Sequence, residues 1–355
     1  MRVVYHTFEG RFADSPRALY ELLSERLPDG DHVWLADPEH AESFPDDART
    51  VAWGTPECVA TLEAADLLVA NTHTDLEWEK PAGATYLQTW HGTPLKRIHN
   101  DVLWAPEGRL ERLDRDVAKW DLLLSPNEVS TPRLRGAFGY EGEVLESGYP
   151  RNDILSAPDA EERRAGIRAR LGIAPEQTAV LYAPTWRDDA VFEAGGKDLE
   201  LALDLDRFEE RLGGQNVLLL RLHYMLTGRL EAGEDRPSVR DVSWWPEIGE
   251  LYLAADVLVT DYSSTMFDFA VTGRPQLFFT YDLDDYRDRL RGFYFDFAPV
   301  APGPLLPTNG ELFDALADLP AVADAYAERY AEFSETFCRL EDGHAGERVV
   351  ARLLG

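Results

Sequence analysis

The chain has 355 residues, 45% of them apolar, with a formal net charge of −30. That is enough apolar material for two domains. No run of about 18 apolar residues offers a membrane span, and the acidic balance opposes general nucleic-acid binding and simple adhesion to anionic lipid. Two cysteines, Cys58 and Cys338, are too few for a disulfide framework or a zinc site. Met1 to Tyr5 leads directly into a strand rather than a signal peptide, which predicts a cytoplasmic protein. Lys80, Lys96, Lys119 and Lys197 are the only lysines among 35 basic residues, so the basic side chains are overwhelmingly arginine. A lysine-poor acidic surface suits a high-salt cytoplasm, and a GC-rich genome would favour arginine as well.

In chain order, Arg2 to Thr7 reads as a first strand. Ser15-Pro16 then opens a helix with Leu19, Leu22, Leu23 and Leu27 at helical spacing. Strands follow at His32 to Ala36 and Asp66 to Ala70, separated by a helix over Pro56 to Ala65. The loop after the latter strand carries His73, which either lines a ligand cleft or is a bystander. A strand over Ala84 to Thr89 meets Trp90-His91-Gly92-Thr93-Pro94, which cannot prolong it. His91 therefore sits past a strand's carboxyl end, where open α/β sheets bind ligands. Gly92 allows close approach of the backbone, and Thr93 is a candidate N-cap with Pro94 at the first helical position, offering N–H groups to an anion. A helix over Leu110 to Trp120, a strand at Leu122 to Ser125, a short helix over Pro132 to Phe138 and a strand at Val144 to Glu146 complete the first half.

Ser147 to Asp153 reads as a crossing between domains, with Arg151 either a solvated linker charge or a ligand contact on the cleft floor. The second half restarts with a helix over Ala160 to Leu171 and a strand over Ala179 to Tyr182, followed by Ala183-Pro184-Thr185-Trp186-Arg187-Asp188. After a helix over Asp206 to Leu212, a strand over Val217 to Arg221 brings Arg221 and His223 to the same rim. Two residues apart in extended chain, they share one side. Val257 to Thr260 leads into Asp261-Tyr262-Ser263-Ser264-Thr265, a hydroxyl cluster before a helix. Such a cluster is either a phosphate site or an ordinary cap. Asp268, one turn on, either bonds a ribose hydroxyl or faces solvent. A strand over Gln276 to Phe279, an aromatic and acidic loop over Tyr281 to Phe297 and a helical stretch over Gly310 to Phe337 follow.

The fold class expected is α/β, two Rossmann-like domains facing across a cleft: residues 1–150 and 151–355, with the last helices free to pack back on the first domain. G-x-G-x-x-G, G-x-x-x-x-G-K-[ST] and G-x-S-x-G motifs are all missing, which disfavours dinucleotide oxidoreductases, P-loop NTPases and α/β-hydrolases. No compact metal-ligand spacing is present either, and a cationic, metal-free diphosphate site is the economical reading.

Trp90 to Lys96, Gly148 to Asp153, Tyr182 to Asp188, Thr260 to Ser264, Tyr281 to Leu283, Arg291 to Asp296 and Asp342 to Ala345 resemble, in order, motifs of the CDP-glycerol glycerophosphotransferase family of teichoic acid polymerases. One departure is Gly346, where the family commonly has serine. Another is the long N-terminal region of the large polymerases, which has no counterpart here. The resemblance implies a GT-B fold, no cofactor, and transfer of glycerol phosphate from CDP-glycerol to an acceptor hydroxyl with loss of CMP. It casts His91 as general base and Arg221 with His223 as diphosphate contacts that stabilise the leaving phosphate. Arg151, Thr185 and Arg187 would hold the donor together with Gly92 and Thr93. Ser263, Ser264 and Thr265 would receive phosphate, with Asp268 toward the nucleotide. The implied acceptor is a lipid-linked or polymeric polyol phosphate, met transiently at the inner membrane face. CDP-ribitol or a nucleotide sugar is the alternative donor, and a non-catalytic nucleotide-binding protein the rival class; oligomeric state is not legible.

Overall fold

The structure, a computed structural model, describes residues 1–105, 107–185, 201–222, 236–290 and 292–355. Seven strands of the first half form one parallel sheet: β1 (Arg2–His6), β2 (Asp31–Ala36), β3 (Arg49–Ala52), β4 (Leu67–Ala70), β5 (Thr85–Gln88), β6 (Leu122–Ser125) and β7 (Glu143–Glu146). Their spatial order is β3-β2-β1-β4-β5-β6-β7. The second half repeats the plan with β8 (Thr178–Tyr182), β9 (Asn216–Leu220), β10 (Val239–Asp241), β11 (Val257–Thr260), β12 (Gln276–Phe279) and β13 (Leu305–Leu306), ordered β10-β9-β8-β11-β12-β13. In each sheet the winding direction reverses once, at β1/β4 and at β8/β11. Loops leave those positions on opposite sides and open a crevice at the strands' carboxyl ends.

The strands are short apolar runs because helices cover both faces of each sheet. Along β1, Val3 and Tyr5 join the core on one face and Val4 that on the other. Along β8, Ala179 and Leu181 divide from Val180 and Tyr182 in the same way. The first helix, α1 (Asp14–Arg26), lays Leu19 and Leu23 on the β1 face, and the final helix, Ala345–Leu354, adds Val349 and Val350 to that cluster. The end of the chain thus packs on the first lobe.

Among the described residues, two of the connections that hold the lobes in register involve backbone segments. Residues 150–155 form a one-turn-plus 3-10 segment that packs against α1. On the other side, Lys96 and Phe293 form an antiparallel bridge, flanked by Arg97 N–H to Gly292 O at 3.1 Å and Tyr294 N–H to Leu95 O at 2.9 Å. Cavities lie beside each: one of about 540 Å³ lined by Asp14, Arg17, Arg151, Glu247 and His344, and one of about 610 Å³ lined by Arg97, Leu103, Arg287, Phe293 and Phe295.

Three expectations from the sequence change. Thr93-Pro94 does not begin a helix: Thr93 O closes a tight turn on Leu95 N–H at 3.2 Å, and the chain then extends to reach the 292–294 segment. Pairing with the other lobe wins over the local capping signal. The helical stretch near the end is two helices, Asn309–Ala317 and Leu319–Phe337, broken at Asp318, whose side chain caps Ala321 N–H ahead of Pro320. The edge strands β3, β10 and β13 were not expected; they are two to four residues long and carry weak apolar patterns.

Candidate active site

His91 stands three residues beyond β5. Its Nδ1 lies 2.6 Å from the carbonyl oxygen of Asn71, the first residue after β4. A carbonyl only accepts, so in the neutral ring Nδ1 carries the hydrogen and Nε2 keeps the lone pair. The ring stacks on Trp90 at 4.1 Å between centroids and has Phe8 at 6.0 Å. Burial lowers the imidazole's pKa, with the nearby Arg151 and His73 acting in the same direction against the Asn71 carbonyl and Asp14. The ring is therefore held neutral near pH 7, with an unshared pair on Nε2.

Gly92 faces the second lobe. A Cβ built there would lie 2.6 Å from Ser264 Oγ and 2.9 Å from Ser264 Cβ, so the two halves meet at this point with no room for a side chain. Ser264 precedes a six-residue helix, Thr265–Ala270, and makes no capping bond with its side chain. Ser263 Oγ accepts weakly from Thr265 N–H at 3.4 Å, and Thr260 Oγ1 lies 3.4 Å from Thr265 Oγ1. Thr185, three residues beyond β8, is drawn in by its N–H to Asp261 Oδ1 at 2.9 Å. Gly92, Thr185, Ser263, Ser264 and Thr265 are therefore gathered where the β8/β11 switch point faces the turn that carries His91. Thr93 is buried behind this surface.

Arg151 and Asp268 also meet, beneath that surface. Arg151 is 6% exposed; it donates from one terminal nitrogen to Asp14 Oδ2 at 2.9 Å and from the other to Asp268 at 2.9 and 3.1 Å. Asn152 Nδ2 donates to Asp268 Oδ1 at 3.1 Å. Burial pushes the Asp268 carboxyl up while Arg151 and Asn152 hold it down. The cluster ties α1, the crossing and the helix after Ser264 together, and Asp268 faces neither solvent nor an open cleft. Asp14 completes it from a left-handed backbone conformation, φ 63°, donating its N–H to the buried Glu247 at 2.8 Å.

Arg221 turns one terminal nitrogen to the carbonyls of Val242, at 3.2 Å, Ser243, at 2.7 Å, and Trp245, which organises the loop after β10. His223 and Arg187 lie outside the described residues. His73 is packed into the first lobe against His99 and Trp120, with Nδ1 3.4 Å from the buried carboxylate of Asp116. Among the described residues no three His, Cys, Asp or Glu side chains converge on a metal-sized point, and no helix is long and apolar enough to cross a membrane. Sequence reasoning missed Asn71 and Asp14. Asn71 follows a strand, a position that could have flagged it, whereas nothing in the sequence announces that Asp14 adopts a positive φ.

The family model described as CDP-Glycerol:Poly(glycerophosphate) glycerophosphotransferase matches residues 1–355. Teichoic acid poly(glycerol phosphate) polymerase of Bacillus subtilis (strain 168) is 38% identical over 358 residues, 98% of this chain and 48% of that protein. Teichoic acid glycerol-phosphate transferase of Staphylococcus aureus (strain NCTC 8325 / PS 47) is also 38% identical, over 98% of this chain and 91% of that protein. The chain thus spans about half of the first relative and about nine-tenths of the second. The structure of the wall teichoic acid polymerase TagF, in a histidine-to-asparagine variant soaked with CDPG, superposes with a TM-score of 0.92 at 35% identity, over 99% of this chain and 88% of that one.

Proposed function

The chain belongs to the CDP-glycerol:poly(glycerophosphate) glycerophosphotransferase family, and from that premise we propose that it moves glycerol phosphate from CDP-glycerol to an acceptor hydroxyl. CMP is released, and the product is a teichoic-acid-like polyol phosphate. The observation that carries the reading is His91 with Nδ1–H spent on Asn71 O and Nε2 left as a base, on the turn that touches the Ser263-Ser264-Thr265 cluster.

The acceptor oxygen attacks the phosphorus bearing glycerol. The bond from that phosphorus to the CMP oxygen breaks, and the acceptor's proton passes to His91 Nε2. Phosphoryl transfer asks for positioning and charge neutralisation more than covalent help from the protein. The hydroxyls of Ser263, Ser264 and Thr265, at the start of the short helix, supply donors to the phosphates. By resemblance, His223 and Arg187 belong to the donor contacts. Arg151 and Asp268 hold that helix start in place through their mutual ion pair, beside the donor-binding roles that the resemblance gives them.

The acceptor in this reading is a lipid-linked or polymeric polyol phosphate, which calls for contact with the inner membrane face during turnover. Incubation of the protein with CDP-glycerol and a lipid-linked glycerol phosphate primer tests it. CMP release together with product masses rising by whole glycerol phosphate units is expected. Donor binding without CMP release on any primer would instead favour a nucleotide-binding protein that keeps the fold alone.

A further inference from the structure

The ladder between β4 and β5 ends at Thr89, whose N–H reaches Ala70 O at 2.7 Å. Beyond it the two backbones diverge, one toward Asn71-Thr72 and the other into Trp90. Trp90 has φ 55°, a left-handed conformation that a bulky residue keeps only where its surroundings impose it. The side chain of Gln88, 0% exposed, fills the gap: Oε1 accepts Trp90 N–H at 2.9 Å and Nε2 donates to Thr72 O at 3.1 Å. The amide orientation is dictated by its partners, because an N–H needs an acceptor and a carbonyl needs a donor. Asn71 is itself fixed, its Oδ1 accepting Phe8 N–H at 2.8 Å.

Resting on the transferase reading, we propose that Gln88 is a positioning residue of the reaction. Its amide staples the strained Trp90 turn to the Asn71-Thr72 backbone and thereby fixes both the aim and the Nδ1–H tautomer of His91. Without the staple, among the described residues only Thr89, through its N–H and Oγ1 on Ala70 O, ties the turn to the strand that leads into Asn71, and nothing holds Trp90 N–H against the Thr72 side.

The test uses the full chain as Gln88→Leu, which removes both bonds, and Gln88→Glu, which keeps the acceptor for Trp90 but sets an oxygen against Thr72 O. Histidine ¹⁵N spectra, with the His91 signals assigned by their loss in His91→Gln, read the tautomer directly. Wild type should give one protonated and one unprotonated ring nitrogen, and both variants should drift toward averaged shifts. The turnover number should fall on the order of 10²-fold, with the KM for CDP-glycerol within about two-fold. A cooperatively folded Gln88→Leu or Gln88→Glu protein that keeps the single-tautomer spectrum and turns over within about three-fold of wild type would overturn the proposal. Should wild type release no CMP, the transferase reading fails, and the spectra alone decide whether Gln88 holds His91.

Discussion

Gly92 and Ser264 touch across the two lobes, so closely that the hydroxyl of one occupies the place where a side chain on the other would begin. Gly92→Ala must shift a seryl Cβ and the backbone behind it, because the clash lies near the root of a short side chain and not at a flexible tip. We expect a loss of about 1–3 kcal/mol of stability from overpacking. Turnover should fall on the order of 10²-fold through misplacement of His91. Calorimetry and steady-state CMP release would check both.

His91→Gln should lose about 10²- to 10⁴-fold in turnover, the range assigned to a positioned base, while donor affinity by calorimetry stays near wild type. In the wild-type enzyme the lowered imidazole pKa puts the acid limb of kcat/KM below about 6.5, the ordinary histidine value. A midpoint at or above that value would contradict burial of the ring as the controlling influence.

His6 gives an acid-stability prediction free of catalysis. It is buried, stacked on Trp53 at 4.1 Å, and burial lowers its pKa from 6.5 to about 4. The unfolded chain therefore binds the extra proton first. His6 contributes its full stabilisation above about 6.5 and loses it as pH falls toward about 4, a swing of roughly 3 kcal/mol. Urea unfolding at stepped pH should show a shallower slope in this window for His6→Phe than for wild type.

Glu341 has the opposite sign. Its carboxylate accepts Tyr149 N–H at 3.1 and 3.3 Å, and burial, aided by Asp268, pushes its pKa up to about 8. The folded state holds the proton more tightly, so stability is full below 4.5 and declines as pH rises through about 8. Glu341→Gln keeps an acceptor for Tyr149 and cannot ionise. Its thermal midpoint should gain on wild type across that interval, by the equivalent of on the order of 1–3 kcal/mol.

The Arg151 cluster should respond to single truncations as a buried ion set does. Asp268→Ala leaves a guanidinium short of a carboxylate beneath the Ser264 helix and should cost about 3–5 kcal/mol in denaturant titrations. Asp268→Asn, which still accepts from Arg151, should cost less.

The repeated parallel-sheet plan was legible because every interior strand is an apolar run followed by a turn signal, as at Leu122-Leu123-Leu124-Ser125 or Val257-Leu258-Val259-Thr260. The turn with His91 and the hydroxyl run at Ser263 to Thr265 were legible from their positions at strand ends. Thr93-Pro94 misled because its capping chemistry is local, whereas its conformation is set by pairing with residues some 200 positions away. That Arg151 and Asp268 pair with each other was not legible, because a sequence lists charges without their partners. That 117 residues of separation would close to 2.9 Å is a fact of tertiary structure alone. Edge strands such as Arg49–Ala52, with only Val51 buried, carry too little pattern to announce themselves.

Val349 and Val350, on the closing helix, cover Leu19 and Leu23 near the opening of the chain. During synthesis the ribosome therefore releases a first lobe, complete in its strands at Glu146, whose outer face stays uncovered until the chain has emerged as far as Ala345. Whatever shields that greasy strip meanwhile, a chaperone or a transient collapse, sets how much of the protein reaches its native state, and a message cut short before Ala345 yields a product with that strip permanently bare.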